Sequence, residues 1–130
     1  MKLKMLQDLI TVMESDGPTQ IGTYTMPGDQ IPDTTGLRGM IIGIEVTGAY
    51  SGTTRPTLYF ESSDDLGRQD WHVVWSSGAQ AAASAILTLS SALEPGEPYR
   101  LGRYLRWRVV FPTPGSDPSL ITFRIGATVN

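Results

Sequence analysis

The stretch YRLGRYLRWRVVF, residues 99–111, decides the fold class. From Arg103 onward it alternates: Leu105, Trp107, Val109 and Phe111 fall on one face, and Tyr104, Arg106, Arg108 and Val110 on the other. A period of two in a run rich in aromatic and β-branched side chains marks a strand. The apolar row needs a core, while the arginines need water, carboxylates or a partner surface. An antiparallel sheet buried on one side meets both demands, as in a sandwich.

Matching apolar rows lie on both sides of this stretch. In residues 119–129, Ile121, Phe123, Ile125, Ala127 and Val129 share a face. In residues 40–47 (MIIGIEVT), Met40, Ile42, Ile44 and Val46 share one face, and Ile41, Gly43, Glu45 and Thr47 the other. Residues 57–63 (TLYFESS) place Leu58 and Phe60 inward and Thr57, Tyr59 and Glu61 outward, after a proline suited to a strand's first residue. In residues 71–75, Trp71, Val73 and Trp75 alternate and are expected to face the core. Residues 21–26 and 85–91 read as further strands. The alanine-rich residues 78–84 are too short for a stable solvent helix and read as a loop or one helical turn.

Between these runs stand turn signals: residues 14–19 (ESDGPT), the polar loop 29–36, residues 48–55, the acidic loop 64–70, residues 94–98 (EPGEP) and a hairpin-like reversal at 112–118 (PTPGSDP). Fourteen glycines and nine prolines suit many short strands joined by tight turns. About eight strands at roughly 10-residue spacing, with no convincing long helix, predict an all-β fold: an antiparallel β-sandwich of jelly-roll type.

The N-terminus carries two patterns. Leu3, Leu6, Ile10 and Met13 fit a helical stripe, yet residues 8–13 also read as β. A short uncapped helix is marginal alone, so a strand or extended arm is expected. The chain then divides into residues 1–17, an N-terminal arm or first strand, and residues 18–130, the β-sandwich domain. Such an arm either packs on its own domain or docks on a neighbouring subunit.

At 130 residues the chain suits one domain with one proper core. A hydrophobic content of 40% with 18% charge argues against wholesale disorder. A net charge of −3 leaves no footprint for non-specific nucleic-acid binding, and no nucleic-acid partner is expected. Cysteine is absent, which removes disulfides, thiolate nucleophiles and cysteine zinc sites. No run approaches the ~18 apolar residues of a membrane span, so no membrane partner is expected. Gln7 and Asp8 interrupt the apolar run a secretory signal would need.

Catalytic sets are hard to assemble. His72 stands beside Asp70 and near Ser76 and Ser77, but on a strand it projects away from Trp71 and Val73, and there is no nucleophile elbow. Asp64, Asp65 and Asp70 lack the spacing of an EF-hand loop, although sandwich loops can hold calcium through scattered ligands. A solvated turn is the plainer reading. Tyr50, Tyr59, Trp71, Trp75, Tyr99, Tyr104 and Trp107 invite sugar stacking, but alternation puts the three tryptophans in the core. No catalytic, cofactor or metal residues are assigned, and no enzyme activity is expected. On the outer faces, Glu45 and Glu61 sit among Arg106, Arg108 and Arg124. They read as a solvated charge ladder or as a face that meets an acidic partner.

Three pieces in this order carry a resemblance: GTTRPTLYFESSDD (residues 52–65) with Trp71 shortly after, LGRYLRWRVVF (residues 101–111), and a G-x-x-P-S-x-x-x-F closing strand from Gly115 to Phe123. The series resembles small β-sandwich structural proteins of tailed-phage and prophage head gene clusters. The resemblance implies a non-enzymatic virion protein, a capsid decoration or minor head protein. Its implied partners are copies of itself, a capsid protein or another virion protein, and its implied state is a homo-oligomer. The long loops 29–36 and 112–118 depart from the tighter turns of that group. The same scaffold also resembles discoidin-like and carbohydrate-binding sandwiches, which keeps a ligand-binding module as the alternative.

Overall fold

A computed structural model of the chain describes residues 2–13, 23–34, 39–50, 56–63, 70–78, 82–90, 102–111 and 120–129. They form eight strands: β1 (Lys2–Met13), β2 (Thr23–Thr25), β3 (Gly39–Tyr50), β4 (Thr57–Ser63), β5 (His72–Ser76), β6 (Ala83–Ser90), β7 (Tyr104–Val110) and β8 (Leu120–Val129). Two four-stranded sheets result, ordered β1-β8-β3-β6 and β2-β7-β4-β5, and every strand pairing is antiparallel. The all-β antiparallel sandwich expected from the alternation is the fold observed. Among the described residues a 3-10 turn, Gly28–Gln30, lies between β2 and β3.

The apolar rows meet between the sheets. Leu105, Trp107, Val109 and Phe111 are all buried, as are Ile121, Phe123, Ile125 and Ala127 opposite them. Trp107 and Phe123 touch edge to face, with ring centroids 5.1 Å apart, and so join the centres of the two sheets. Met40, Ile42, Ile44 and Val46 of β3 and Leu58 and Phe60 of β4 complete the core.

β1 belongs to this body through its pairing with β8, from Lys2↔Val129 to Met13↔Leu120. Val12 is buried, and Leu6 and Ile10 pack against the core. Gln7 also turns inward. Its Oε1 accepts the Trp107 indole N–H at 2.8 Å, and its own amide N–H donates to the Asp8 carbonyl at 3.0 Å. A side-chain bond thus crosses from the edge of one sheet to the centre of the other.

Several boundaries differ from the sequence reading. β3 runs to Tyr50 through an irregularity between Val46 and Gly48 that turns Gly48 and Ala49 both into buried positions. β6 begins at Ala83, so the end of the alanine-rich tract is strand, supported by pairing with β3 that no propensity rule anticipates. Trp71 is the clearest correction. An irregularity between Phe60 and Glu61 in the β4–β5 pairing shifts the phase of the strand, and Trp71 lies on the outer face of its sheet under Arg106. Trp75 is partly buried against the core. The turns predicted at residues 14–19, 94–98 and 112–118 lie outside the described residues.

The start of β7 is clamped. Buried Thr34 donates its backbone N–H to the Arg103 carbonyl at 2.7 Å, and its hydroxyl bonds the Gly102 carbonyl at 2.5 Å. Gly102 donates its N–H to Ser62 Oγ at 2.9 Å, and a Cβ at this position would stand 2.8 Å from the Ser63 carbonyl oxygen. Only glycine allows that approach. The stretch that decides the fold is therefore anchored from both β4 and the loop before β3.

Candidate interaction surface

Each sheet has one outer face, and the two are built differently. On the β2-β7-β4-β5 sheet, register places Tyr59 opposite Arg108 and Glu61 opposite Arg106. Glu61 is only 3% exposed although it points away from the core. Its Oε1 accepts from Arg106 Nε at 2.9 Å and from Arg108 Nε at 3.2 Å. The arginines also meet aromatic rings: Arg106 stacks over Trp71 at 4.2 Å and Arg108 over Tyr59 at 4.3 Å. The result is a cluster of Trp71, Arg106, Glu61, Arg108 and Tyr59, in which each guanidinium stacks on an aromatic ring and donates its Nε–H to the shared carboxylate oxygen.

This corrects the picture of a uniformly solvated ladder. The Glu61 cluster is largely removed from water, whereas Glu45 and Arg124, paired at 2.6 Å on the other sheet, are each about half exposed. The cluster also occupies the aromatics that would stack sugars. Tyr59 and Trp71 carry arginines, Arg103 lies over Tyr104 at 5.1 Å, and Trp107 is in the core. Tyr99 lies outside the described residues, as do Asp64 and Asp65 of the acidic loop.

The histidine constellation does not assemble as a triad would require. His72 is exposed, in register with Ser62, while the nearby serine hydroxyls serve the backbone. Ser77 Oγ accepts from the Leu58 N–H at 3.0 Å and donates to the Gly78 carbonyl, and Ser76 Oγ accepts from the Gly78 N–H. Among the described residues no group of three or more His, Cys, Asp or Glu side chains is placed to hold a metal ion.

Among the described residues, the outer face of the β1-β8-β3-β6 sheet has no such covering. One row across it reads Met5, Gly126, Gly43, Ile86, strand by strand. The two glycines leave backbone as the floor of an open groove of about 770 Å³, with Met5 on one rim, Ile86 on the other, and the Glu45–Arg124 pair beside them. A neighbouring row places Thr128, Ile41 and Thr88 together. Every large hydrophobic side chain that is exposed among the described residues belongs to this sheet: Met5, Leu9, Met13, Ile41 and Ile86. Ile86 is the extreme case at 81% exposed. Single exposed apolar residues are ordinary, but their collection on one face of one sheet marks a surface for contact.

Alternation already shows Ile41 and Gly43 on outward positions. It does not show that strand order would gather them beside Met5, because pairing of β1, β8, β3 and β6 is a long-range property. No protein-family model matches the chain, and no curated protein matches it.

Proposed function

We propose that the chain is a non-enzymatic structural subunit that works through contacts with copies of itself or with another shell protein. The resemblance of its motif series supports reading it as a virion component of tailed-phage or prophage type, a capsid decoration or minor head protein. The observation that carries this reading is the outer face of the β1-β8-β3-β6 sheet, to which the exposed large hydrophobics of the described residues belong, two of them, Met5 and Ile86, lining a glycine-floored groove. A chain of this kind functions by burying such a face, since removing apolar area from water drives association at about 25 cal/mol per Å² before the costs of ordering. The opposite sheet supports the reading by contrast, because Arg106 and Arg108 cover the rings of Trp71 and Tyr59 and pair with Glu61, which leaves little aromatic surface for a ligand.

The test is light scattering on the purified chain, together with co-sedimentation with emptied tailed-phage capsid shells. Self-association or shell binding is expected, and Met5→Ser and Ile41→Ser on the sheet face should weaken shell binding. A monodisperse monomer that also fails to sediment with any shell would overturn the reading. Specific retention on a glycan array would replace it with the ligand-binding alternative.

A further inference from the structure

The sandwich has four sheet edges, and three are protected against pairing with another chain. β1 carries Lys2, Lys4 and Asp8, and its register with β8 breaks between Met5 and Gln7 and again between Gln7 and Ile10. β2 is only three residues long. β5 is five residues long, and its pairing with β4 is irregular. Charges, bulges and short length are the standard ways an edge strand avoids foreign partners.

β6 has none of them. Its sequence, ASAILTLS, holds no charge and no proline. Its register with β3 is unbroken from Gly39↔Ser90 to Val46↔Ala83, so the strand is regular over its full eight residues. Among the described residues, no strand pairs its other edge. Its core-facing Ala83, Ala85 and Leu87 are only partly buried, which leaves the open side of the sandwich unfinished along this strand.

We propose that β6 is the homotypic interface of this protein, pairing antiparallel with β6 of a second copy to give one continuous eight-stranded sheet. The inference rests on the reading of the chain as a self-associating subunit and names the surface responsible. A second copy is the occupant that the strand's own chemistry fits. Residues directly opposite in an antiparallel pair share a face, so a two-fold axis must pass through a residue position. Centred on Ile86, the axis brings the two Ile86 side chains together on the outer face. It sets Ser84 opposite Thr88 there, and Ala85 opposite Leu87 on the inner face. Small meets large, hydroxyl meets hydroxyl, and no charge meets a like charge. The most exposed apolar side chain of the described residues is thereby covered by its own copy.

The chain contains no cysteine, so a single introduced thiol reports the axis directly. Ile86→Cys, oxidised with copper phenanthroline at concentrations where the wild-type chain associates, is expected to yield mainly disulfide-linked dimer. Leu9→Cys, 62% exposed at the opposite edge of the same sheet, is expected to stay monomeric on the same gel. In sedimentation velocity, Ile86→Lys and Ile86→Glu should each lose the dimer, and mixing the two should restore it as a heterodimer. Both substitutions fall on a solvated position, so circular dichroism of each variant should match wild type. An Ile86→Cys chain that crosslinks no better than Leu9→Cys would overturn the β6 interface. So would charged variants that associate as the wild type does, and in that case the broader reading of a self-associating subunit stands. A wild-type chain that never associates overturns the β6 interface as well, and the shell co-sedimentation arm then decides the broader reading separately.

Discussion

The two outer faces solve the same problem in opposite ways. Glu61 on the β2-β7-β4-β5 sheet is buried and pairs with Arg106 and Arg108, which stack on Trp71 and Tyr59. Gly43 and Gly126 on the other sheet offer no side chain at all, and Met5 and Ile86 stand beside them in water. The first face spends its chemistry on the fold. The second leaves its apolar surface open, which costs the free subunit hydration free energy and is recovered only by contact.

Substitutions that open the closed face should therefore hurt stability more than equal substitutions on the open one. The largest effect is expected for Glu61→Ala, which leaves two arginines facing each other without their shared carboxylate. A loss of about 3 kcal/mol is expected in urea unfolding, the lower end for breaking a buried ion pair because both arginines retain some exposure. Next comes Gly102→Ala, at about 2 kcal/mol in the same measurement, because the new methyl must displace the Ser63 carbonyl or the Ser62 hydroxyl. Gln7→Ala follows, at about 1–2 kcal/mol, since it strands the Trp107 indole N–H, and near-ultraviolet dichroism of the tryptophans should change with it. The smallest effect is expected for Glu45→Ala. Its pair with Arg124 is solvated, so the loss should stay below about 1 kcal/mol and shrink further in added salt. Equal costs for Glu61→Ala and Glu45→Ala would dissolve the contrast between the faces.

Much of the fold was legible because β alternation is a local property. Leu105, Trp107, Val109 and Phe111 were assigned inward from spacing alone and are buried. The same rule failed at Trp71, where an irregularity in the pairing with β4 changes the phase. The extra residue is Val74, which the pairing with β4 skips, and alternation within residues 71–75 does not report it. Glu61 shows the other limit. Its outward direction follows from alternation, but its burial depends on Arg106 and Arg108 arriving from β7, one stacked on Trp71 and the other on Tyr59 of its own strand. Of the candidate surface only Ile41 and Gly43 were legible as outward positions, since Met5, Gly126, Gly43 and Ile86 lie far apart in the chain and meet only through strand order.

For this protein the sequence alone determined the period of each strand, the inward row that fills the core, and the absence of thiol chemistry. These depend on side chains a few residues apart, or on composition. Only the tertiary structure decided which strands became edges, which outward charges left water, and where the exposed apolar side chains gathered. Strand order and register join residues distant in the chain, and the free energy that selects them comes from packing two whole sheets together rather than from any one segment. In YRLGRYLRWRVVF the two contributions separate cleanly. Its apolar row could be read before folding, while the fate of Arg106 and Arg108 was settled by β4 and by the tryptophan before β5.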